Sequence, residues 1–264
     1  MGVLNVTPDS FYDGGKFMEG EKVLTQTKRM LEEGASFIDI GGASSKPGSD
    51  PVSLKEEIER VIPAISTILK NFPNAVISID TTSSVVAEKA VDSGAAIVND
   101  ISAGTDDKRM LEAVASLGVP YIAMHMQGTP KTMQNNPTYQ NVVSDVFATL
   151  ERFCNRASQL GIKQLILDPG FGFGKTLSHN YQLLNQLEKF HSLGCPLLVG
   201  VSRKSMIQQI VDVDAENALN GTTVIHTIAA QKGASILRAH DVKEAVQVFQ
   251  LVNYLMQPES TTIS

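Results

Sequence analysis

Cysteine is scarce in this 264-residue chain. Cys154 and Cys195 form neither a CxxC pair nor the even set of a disulfide framework. Both read as reduced thiols, so the expected location is a reducing compartment, the cytoplasm. Long apolar runs are also lacking. None approaches the ~20 residues that cross a bilayer, so a spanning helix is excluded and no membrane partner is expected. Met1 opens onto an apolar segment with no basic stretch and no cleavage site, so no secretion signal is expected. Positive charge is short as well. The chain has 22 Lys and Arg against 28 Asp and Glu, a net −6, without a long basic run. That balance argues against a nucleic-acid partner.

Several chemistries lack their residues. No His/Cys cluster has metal-ligand spacing, and no Cys–His or Ser–His–Asp set is visible. Ser202 and Ser205 have no base visible near them in the sequence. Gly174-Lys175-Thr176 imitates the end of a phosphate loop, but that pattern needs a glycine where Pro169 stands. Nucleotide binding is rejected, and the glycines of 170–174 are read as letting backbone approach a ligand or a neighbouring loop.

What is present is a repeat. Hydrophobic residues make up 42% and charged residues 19%, an ordinary globular balance. Short apolar runs at 1–6, 37–40, 76–79, 96–98, 121–124, 164–167, 196–199 and 235–237 read as strands. Helical segments lie between them. Ser53 and Glu56 resemble a capping box opening a helix over 54–69, and Gly34, Gly94, Gly118, Gly161, Gly194 and Gly233 stand where helices end before strands. Eight βα units in ~250 residues fit a single-domain (β/α)8 barrel, whose strands are buried on both faces. A doubly wound sheet would need fewer units or a second domain, and no linker is visible. The barrel is expected to span 1–256, with a polar tail at 257–264. A strand starting at residue 1 leaves the N-terminal mouth uncovered, so a short preceding segment is expected to be missing.

In this fold the chemistry sits at the C-terminal ends of the strands. Those ends are polar: Asn5, Asp39, Asp80, Asn99, Asp100, His125, Asp168, Ser202-Arg203-Lys204, Arg238 and His240. Any one of them could be a helix N-cap. A set drawn from all eight strands points instead to a polar, multiply hydrogen-bonded ligand. Asp80, Asn99, Asp168 and Lys204 suit the donor and acceptor edge of a flat heterocycle. Arg238 and His240, with Asn5 on the adjoining strand, suit an anion. The amide oxygen of Asn5 could also ligate a hard cation such as Mg²⁺. Two loops, 7–15 and 41–50, carry glycine, serine and charge and read as lids.

Met1-Gly2-Val3-Leu4-Asn5-Val6-Thr7-Pro8-Asp9-Ser10-Phe11, Asp168-Pro169-Gly170 with Phe173-Gly174-Lys175, Ser202-Arg203-Lys204-Ser205 and Arg238-Ala239-His240-Asp241, in that order and spacing, resemble the bacterial dihydropteroate synthases. The resemblance runs from residue 1 to about residue 256. It implies a (β/α)8 barrel in which p-aminobenzoate attacks 6-hydroxymethyl-7,8-dihydropterin pyrophosphate. The products are 7,8-dihydropteroate and pyrophosphate, formed by a dissociative, Mg²⁺-assisted substitution. It also implies a pterin set of Asp80, Asn99, Asp168 and Lys204, with Met124 and Phe173 beside the ring. Asn5, Arg238 and His240 would take the diphosphate and Mg²⁺. Phe11, Ser45, Pro47 and Ser205 would form the p-aminobenzoate pocket, with Asp13 and Lys46 on the lids. A homodimer is implied through helices near 217–232 and 242–256. The second loop departs from the family's Glu-Ser-Thr-Arg-Pro-Gly. It reads Ala43-Ser44-Ser45-Lys46-Pro47-Gly48, which lacks the carboxylate and the bidentate fork. Two other readings share the pterin residues. One is a pterin-dependent methyltransferase domain, which would need neither the first lid nor Ser202-Arg203-Lys204-Ser205. The other is a pterin-binding barrel without catalysis.

Overall fold

Strands and helices alternate along the chain. The computed structural model describes residues 1–6, 15–43, 52–129, 132–133 and 136–257. Phe11, Asp13, Ser45, Lys46 and Pro47 lie outside the described residues. The elements are β1 (Gly2–Asn5), α1 (Gly15–Glu32), β2 (Ile38–Gly41), α2 (Leu54–Asn71), β3 (Ile77–Asp80), α3 (Ser84–Asp92), β4 (Ile97–Asp100) and α4 (Met110–Leu117). They continue with β5 (Tyr121–Met124), α5 (Val142–Gln159), β6 (Leu165–Asp168), α6 (Leu177–Asn185) and a 3₁₀ helix (Leu187–Leu193). The last are β7 (Leu198–Val199), α7 (Ser205–Val211), α8 (Leu219–Gln231), β8 (Ile236–Leu237) and α9 (Val242–Met256).

β1 to β6 pair in sequence order, and β7 pairs with β8. Parallel bridges Leu167–Leu197 and Gly2–Ala239 join the two sheets at both seams. The chain therefore closes into a single-domain (β/α)8 barrel, and the open-sheet alternative is set aside. The Met1 ammonium donates to Leu237 O at 3.0 Å across one seam. Burial lowers that ammonium to about 6, with Asp39 opposing the shift.

The helix starts follow the expected chemistry with one exchange. Ser53 Oγ accepts from the Glu56 N–H at 3.3 Å, but the Glu56 carboxylate is taken by Arg60, one turn on. The reciprocal box lies at α6, where Thr176 Oγ1 accepts from His179 N–H and His179 Nδ1 accepts from Thr176 N–H. Gly118 ends α4 with φ 68°, and its N–H donates to Val114 O.

Strand parity sorts core from site. Ile38, Ile40, Val98, Leu167, Val199 and Leu237 turn outward into the layer beneath the helices. Phe37, Ile97, Ile122, Ile166, Leu198 and Ile236 belong to a separate apolar cluster that plugs the barrel interior. Side chains two positions apart share a face. One step above that plug stand Asp39, Asn99, Met124, Asp168, Gly200 and Arg238. Asp100 has the outward parity of Val98 and a structural role. Its oxygens accept from Ser102 N–H and Oγ, Gly104 N–H and Tyr121 OH. Both cysteines are free thiols. Among the described residues, no helix is long and apolar enough to cross a membrane.

Candidate active site

The upper barrel interior is organised around Arg238, which follows β8. Its Nε donates to Asp39 Oδ2 at 2.6 Å and its Nη2 to Asp80 Oδ2 at 2.7 Å. Asn99 Nδ2 donates to the same Asp39 oxygen at 3.1 Å. The other Asp39 oxygen is buried with no partner among the described residues. Asp39 is 0% exposed. Burial raises Asp80 to about 7, with Arg238 pulling it down and Asp39 pushing it up. Burial also opposes the charge of Arg238, but the two carboxylates outweigh it and raise the guanidinium above its ordinary value.

A second group lies across the barrel. Asp168 Oδ1 accepts from Gly170 N–H at 2.7 Å. Lys204 Nζ donates to Phe171 O at 2.6 Å and sits 4.5 Å from the Phe173 ring centroid. Burial raises Asp168, while Lys204 and the Gly170 N–H draw it back. Burial lowers Lys204 to about 8 against the pull of Asp168. Met124, Phe173 and Met133 form an apolar wall beside these groups.

Two glycines keep the space open. A Cβ on Gly200 would stand 3.9 Å from Asp168 Oδ2, from Lys204 Nζ and from Arg238 Cβ. A Cβ on Gly41 would stand 3.7 Å from both Asn5 Oδ1 and Asp80 Oδ2. The cradle thus offers a carboxylate, an ammonium and an ion-paired guanidinium around a gap with one apolar wall. That combination suits a flat ring with a donor–acceptor edge.

The rim is set by the turns after β7 and β8. Arg203 adopts φ 57° and turns away from the gap. Its Nε and Nη2 fork onto Asp241 at 2.8 and 2.7 Å, and its Nη1 donates to Ala215 O and Glu216 O. This strap ties the two turns together and leaves Lys204 facing inward. His240 N–H donates to Ser202 Oγ at 3.2 Å, and its Nδ1 lies 3.1 Å from the same oxygen. Burial, with Arg238 alongside, holds His240 below its ordinary value, so the ring is neutral at neutral pH. Ser205 is exposed and opens α7.

The structure therefore brings Asp80, Asn99, Asp168, Lys204, Met124 and Phe173 to one place. Arg238 pairs with the carboxylates of Asp39 and Asp80 through Nε and Nη2. Asn5 joins the cluster across the Gly41 gap, and His240 stays at the rim. Sequence reasoning placed Asp39 only among the polar strand ends and Gly41 only in a lid loop, and gave no role to Gly200 or Met133. Asp39 and Gly200 carry a signal, since each lies two residues beyond an inward apolar residue, Phe37 and Leu198. Met133 carries none, because it arrives from the long loop between β5 and α5.

Residues 1–240 match the family model described as pterin binding enzyme. The dihydropteroate synthase of Haemophilus influenzae is 48% identical over 244 residues, covering 92% of this chain and 88% of that protein. The Xanthomonas albilineans dihydropteroate synthase solved with 4-aminobenzoic acid superimposes with a TM-score of 0.90 at 39% identity, covering 97% of this chain and 92% of that one. The same enzyme in complex with 7,8-dihydropteroate gives a TM-score of 0.87 at 37% identity over the same shares, 97% and 92%. The matched range holds every cradle residue from Asn5 to His240, and the chain belongs to the pterin-binding enzyme family, among the dihydropteroate synthases, which are transferases.

Proposed function

We propose that this chain joins p-aminobenzoate to 6-hydroxymethyl-7,8-dihydropterin pyrophosphate, giving 7,8-dihydropteroate and pyrophosphate. The observation that carries this reading is the gap over Gly200, where Asp168, Lys204 and the Asp80–Arg238 pair converge beside Met124 and Phe173. The pterin ring lies in that gap. Asp168 and Asp80 accept from its N–H groups, and Lys204 and Asn99 complete the edge. The C–O bond between the methylene and the diphosphate breaks first, and its electron pair leaves with the diphosphate. The carboxylates stabilise the resulting pterin cation. The amine then forms the C–N bond and releases a proton. No protein nucleophile is required.

Asn5 and His240 face the leaving group. A Ser202 hydroxyl donating to His240 Nδ1 leaves Nε2–H to donate to a phosphate oxygen. Mg²⁺ fits this end of the site. Asn5 is exposed, and its oxygen points at the same gap as Asp80 Oδ2. Mg²⁺ takes few protein ligands when phosphates and water supply the rest. When bound, it would neutralise charge on the diphosphate. p-Aminobenzoate is assigned to Phe11, Ser45 and Pro47, with Asp13 and Lys46 on the same loops and Ser205 on the rim beside Lys204. The reading carries a cytoplasmic location.

We also assign a homodimer. Among the described residues, seven of the ten exposed large hydrophobics lie on α7, α8 and α9: Ile210, Val211, Val224, Leu251, Tyr254, Leu255 and Met256. α8 packs on α9 and α7 on α8, and a second copy covers the exposed apolar residues of these helices. Leu251→Glu with Leu255→Glu is expected to turn a dimer into a monomer in sedimentation velocity. A wild-type chain that sediments as a monomer contradicts the assignment.

Formation of dihydropteroate from both substrates, assayed at steady state, tests the function. Methyl transfer, or pterin binding without product, contradicts it. Asp168→Asn removes one charge-assisted contact and is expected to cost ~2–4 kcal/mol in the transition state. That corresponds to a loss of roughly 30- to 1000-fold in kcat/KM. A folded Asp168→Asn enzyme with wild-type kcat/KM would sink the pterin assignment.

The acid limb of the pH profile follows from Asp80. Its raised value means that it binds a proton as pH falls through about 7, whereas an ordinary carboxylate would stay ionised. kcat/KM should therefore decline below about 7 and not near 4. A flat profile down to pH of about 5 would show that the ionised Asp80 is not needed.

A further inference from the structure

One buried ammonium takes no part in the chemistry above. Lys175 is 2% exposed. Its Nζ lies 2.8 Å from Gly170 O, 3.0 Å from Phe173 O, 3.0 Å from His125 Nδ1 and 3.3 Å from His125 O. Burial, with Lys175 beside it, lowers His125 to about 3, so its ring is neutral and accepts at Nδ1. Four acceptors surround one nitrogen. An ammonium supplies three N–H donors, whereas a neutral amine supplies two and turns a lone pair toward carbonyl oxygen. The ring of acceptors therefore selects the charged form. Burial pulls the ammonium below its ordinary value, and the charge of Asp168 opposes that shift.

The turn around this cation is the one that builds the site. Gly170 and Gly174 have φ 74° and 63°. A Cβ on Gly170 would stand 1.8 Å from His125 O, and one on Gly174 would stand 2.4 Å from Gln127 O. Glycine alone lets the turn close against the segment after β5. The carbonyls of Gly170 and Phe173 point at Lys175. The Phe171 carbonyl between them points at Lys204, and the Phe173 ring lies under the same Lys204 nitrogen. Gly170 also holds Asp168 through its N–H. One turn thus carries a cation on its inner side and, on the other, presents Asp168 and Phe173 and holds Lys204 through the Phe171 carbonyl.

We infer that Lys175 is a positioning residue whose ammonium acts as a built-in cation, shaping the turn of residues 168–175 and so fixing Asp168, Phe173 and Lys204 against the pterin ring. The inference rests on the pterin reading given above. A lysine that only stabilised the fold would leave substrate discrimination alone once the protein had folded.

The test uses the full chain and 6-hydroxymethylpterin as the probe. Lys175→Ala, shown to be folded by circular dichroism, should bind the pterin at least about tenfold more weakly and lose roughly a hundredfold in kcat/KM for the pterin substrate, as expected for a misplaced contact. KM for p-aminobenzoate should stay within about twofold, because the residues assigned to p-aminobenzoate are not part of this turn. Added propylammonium, which carries the missing N–H donors, should restore pterin binding, and tetramethylammonium should not. His125→Leu removes one acceptor and keeps Lys175. It should weaken pterin binding in the same direction and less severely, with recovery in His125→Asn. A folded Lys175→Ala that binds pterin like the wild type overturns the inference. If Lys175→Ala does not fold, wild-type pterin affinity in His125→Leu overturns it. A wild type that binds no pterin overturns the function reading first and this inference with it, whereas a wild type that forms dihydropteroate while Lys175→Ala binds pterin normally overturns this inference alone.

Discussion

A guanidinium held between two carboxylates inside a closed barrel is expensive to desolvate, and the site depends on its being held there. Arg238 follows β8, Asp39 lies in β2 and Asp80 ends β3. The three can meet only when the seam between β8 and β1 is closed. Barrel closure and assembly of the cradle are therefore one event. Removing one member of such a buried pair commonly costs about 3–5 kcal/mol, because the remaining charge is left without compensation. The same contacts set their neighbours. Asp39 receives the Asn99 amide, and its charge helps to raise Asp80.

Rigid strand ends and loops divide the work. The groups assigned to the pterin come from strand ends or from short turns pinned to them, with little freedom left to lose on binding. Preorganised charges of that kind stabilise developing charge without reorganising at the moment of reaction. The rim residue His240 is neutral and tied to Ser202, which suits a donor to phosphate oxygen rather than a second cation beside Arg238. The two lysines near Asp168 differ in the same way. Among the described residues, the Lys204 ammonium has one hydrogen-bond acceptor and faces the gap, whereas that of Lys175 is enclosed by four.

Much of this was legible in the sequence. Eight apolar runs separated by helical segments specify the barrel, because parallel strands covered on both faces read as continuous apolar stretches. The polar strand ends were visible too. The alternation within strands would have gone further: Phe37 to Asp39, Ile97 to Asn99, Ile166 to Asp168, Leu198 to Gly200 and Ile236 to Arg238 are the same inward step. What the sequence could not give is partner choice. Arg238 reads as an anion ligand from its type alone, and only closure shows that Asp39 and Asp80 also pair with it. Glu56 has capping-box spacing, yet Arg60 one turn on competes for its carboxylate. Asp100 and Asp168 end strands alike, and parity alone sends one to Tyr121 and the other to the gap. Met133 reaches the ring wall through a loop whose path no local pattern specifies.

The central claim is that the Asp39–Arg238–Asp80 cluster is a preset charge arrangement for the pterin. Its most direct test is the pterin affinity of Asp39→Asn, measured by calorimetry across pH beside the wild type. Asp39 is fully buried and acts through Arg238 and Asn99. The account predicts a folded variant with affinity at neutral pH reduced about 10- to 100-fold, the range seen when a supporting partner is lost. It also predicts an acid limb displaced to lower pH, because the charge that pushes Asp80 up is gone. Superimposable affinity curves for Asp39→Asn and the wild type would contradict it.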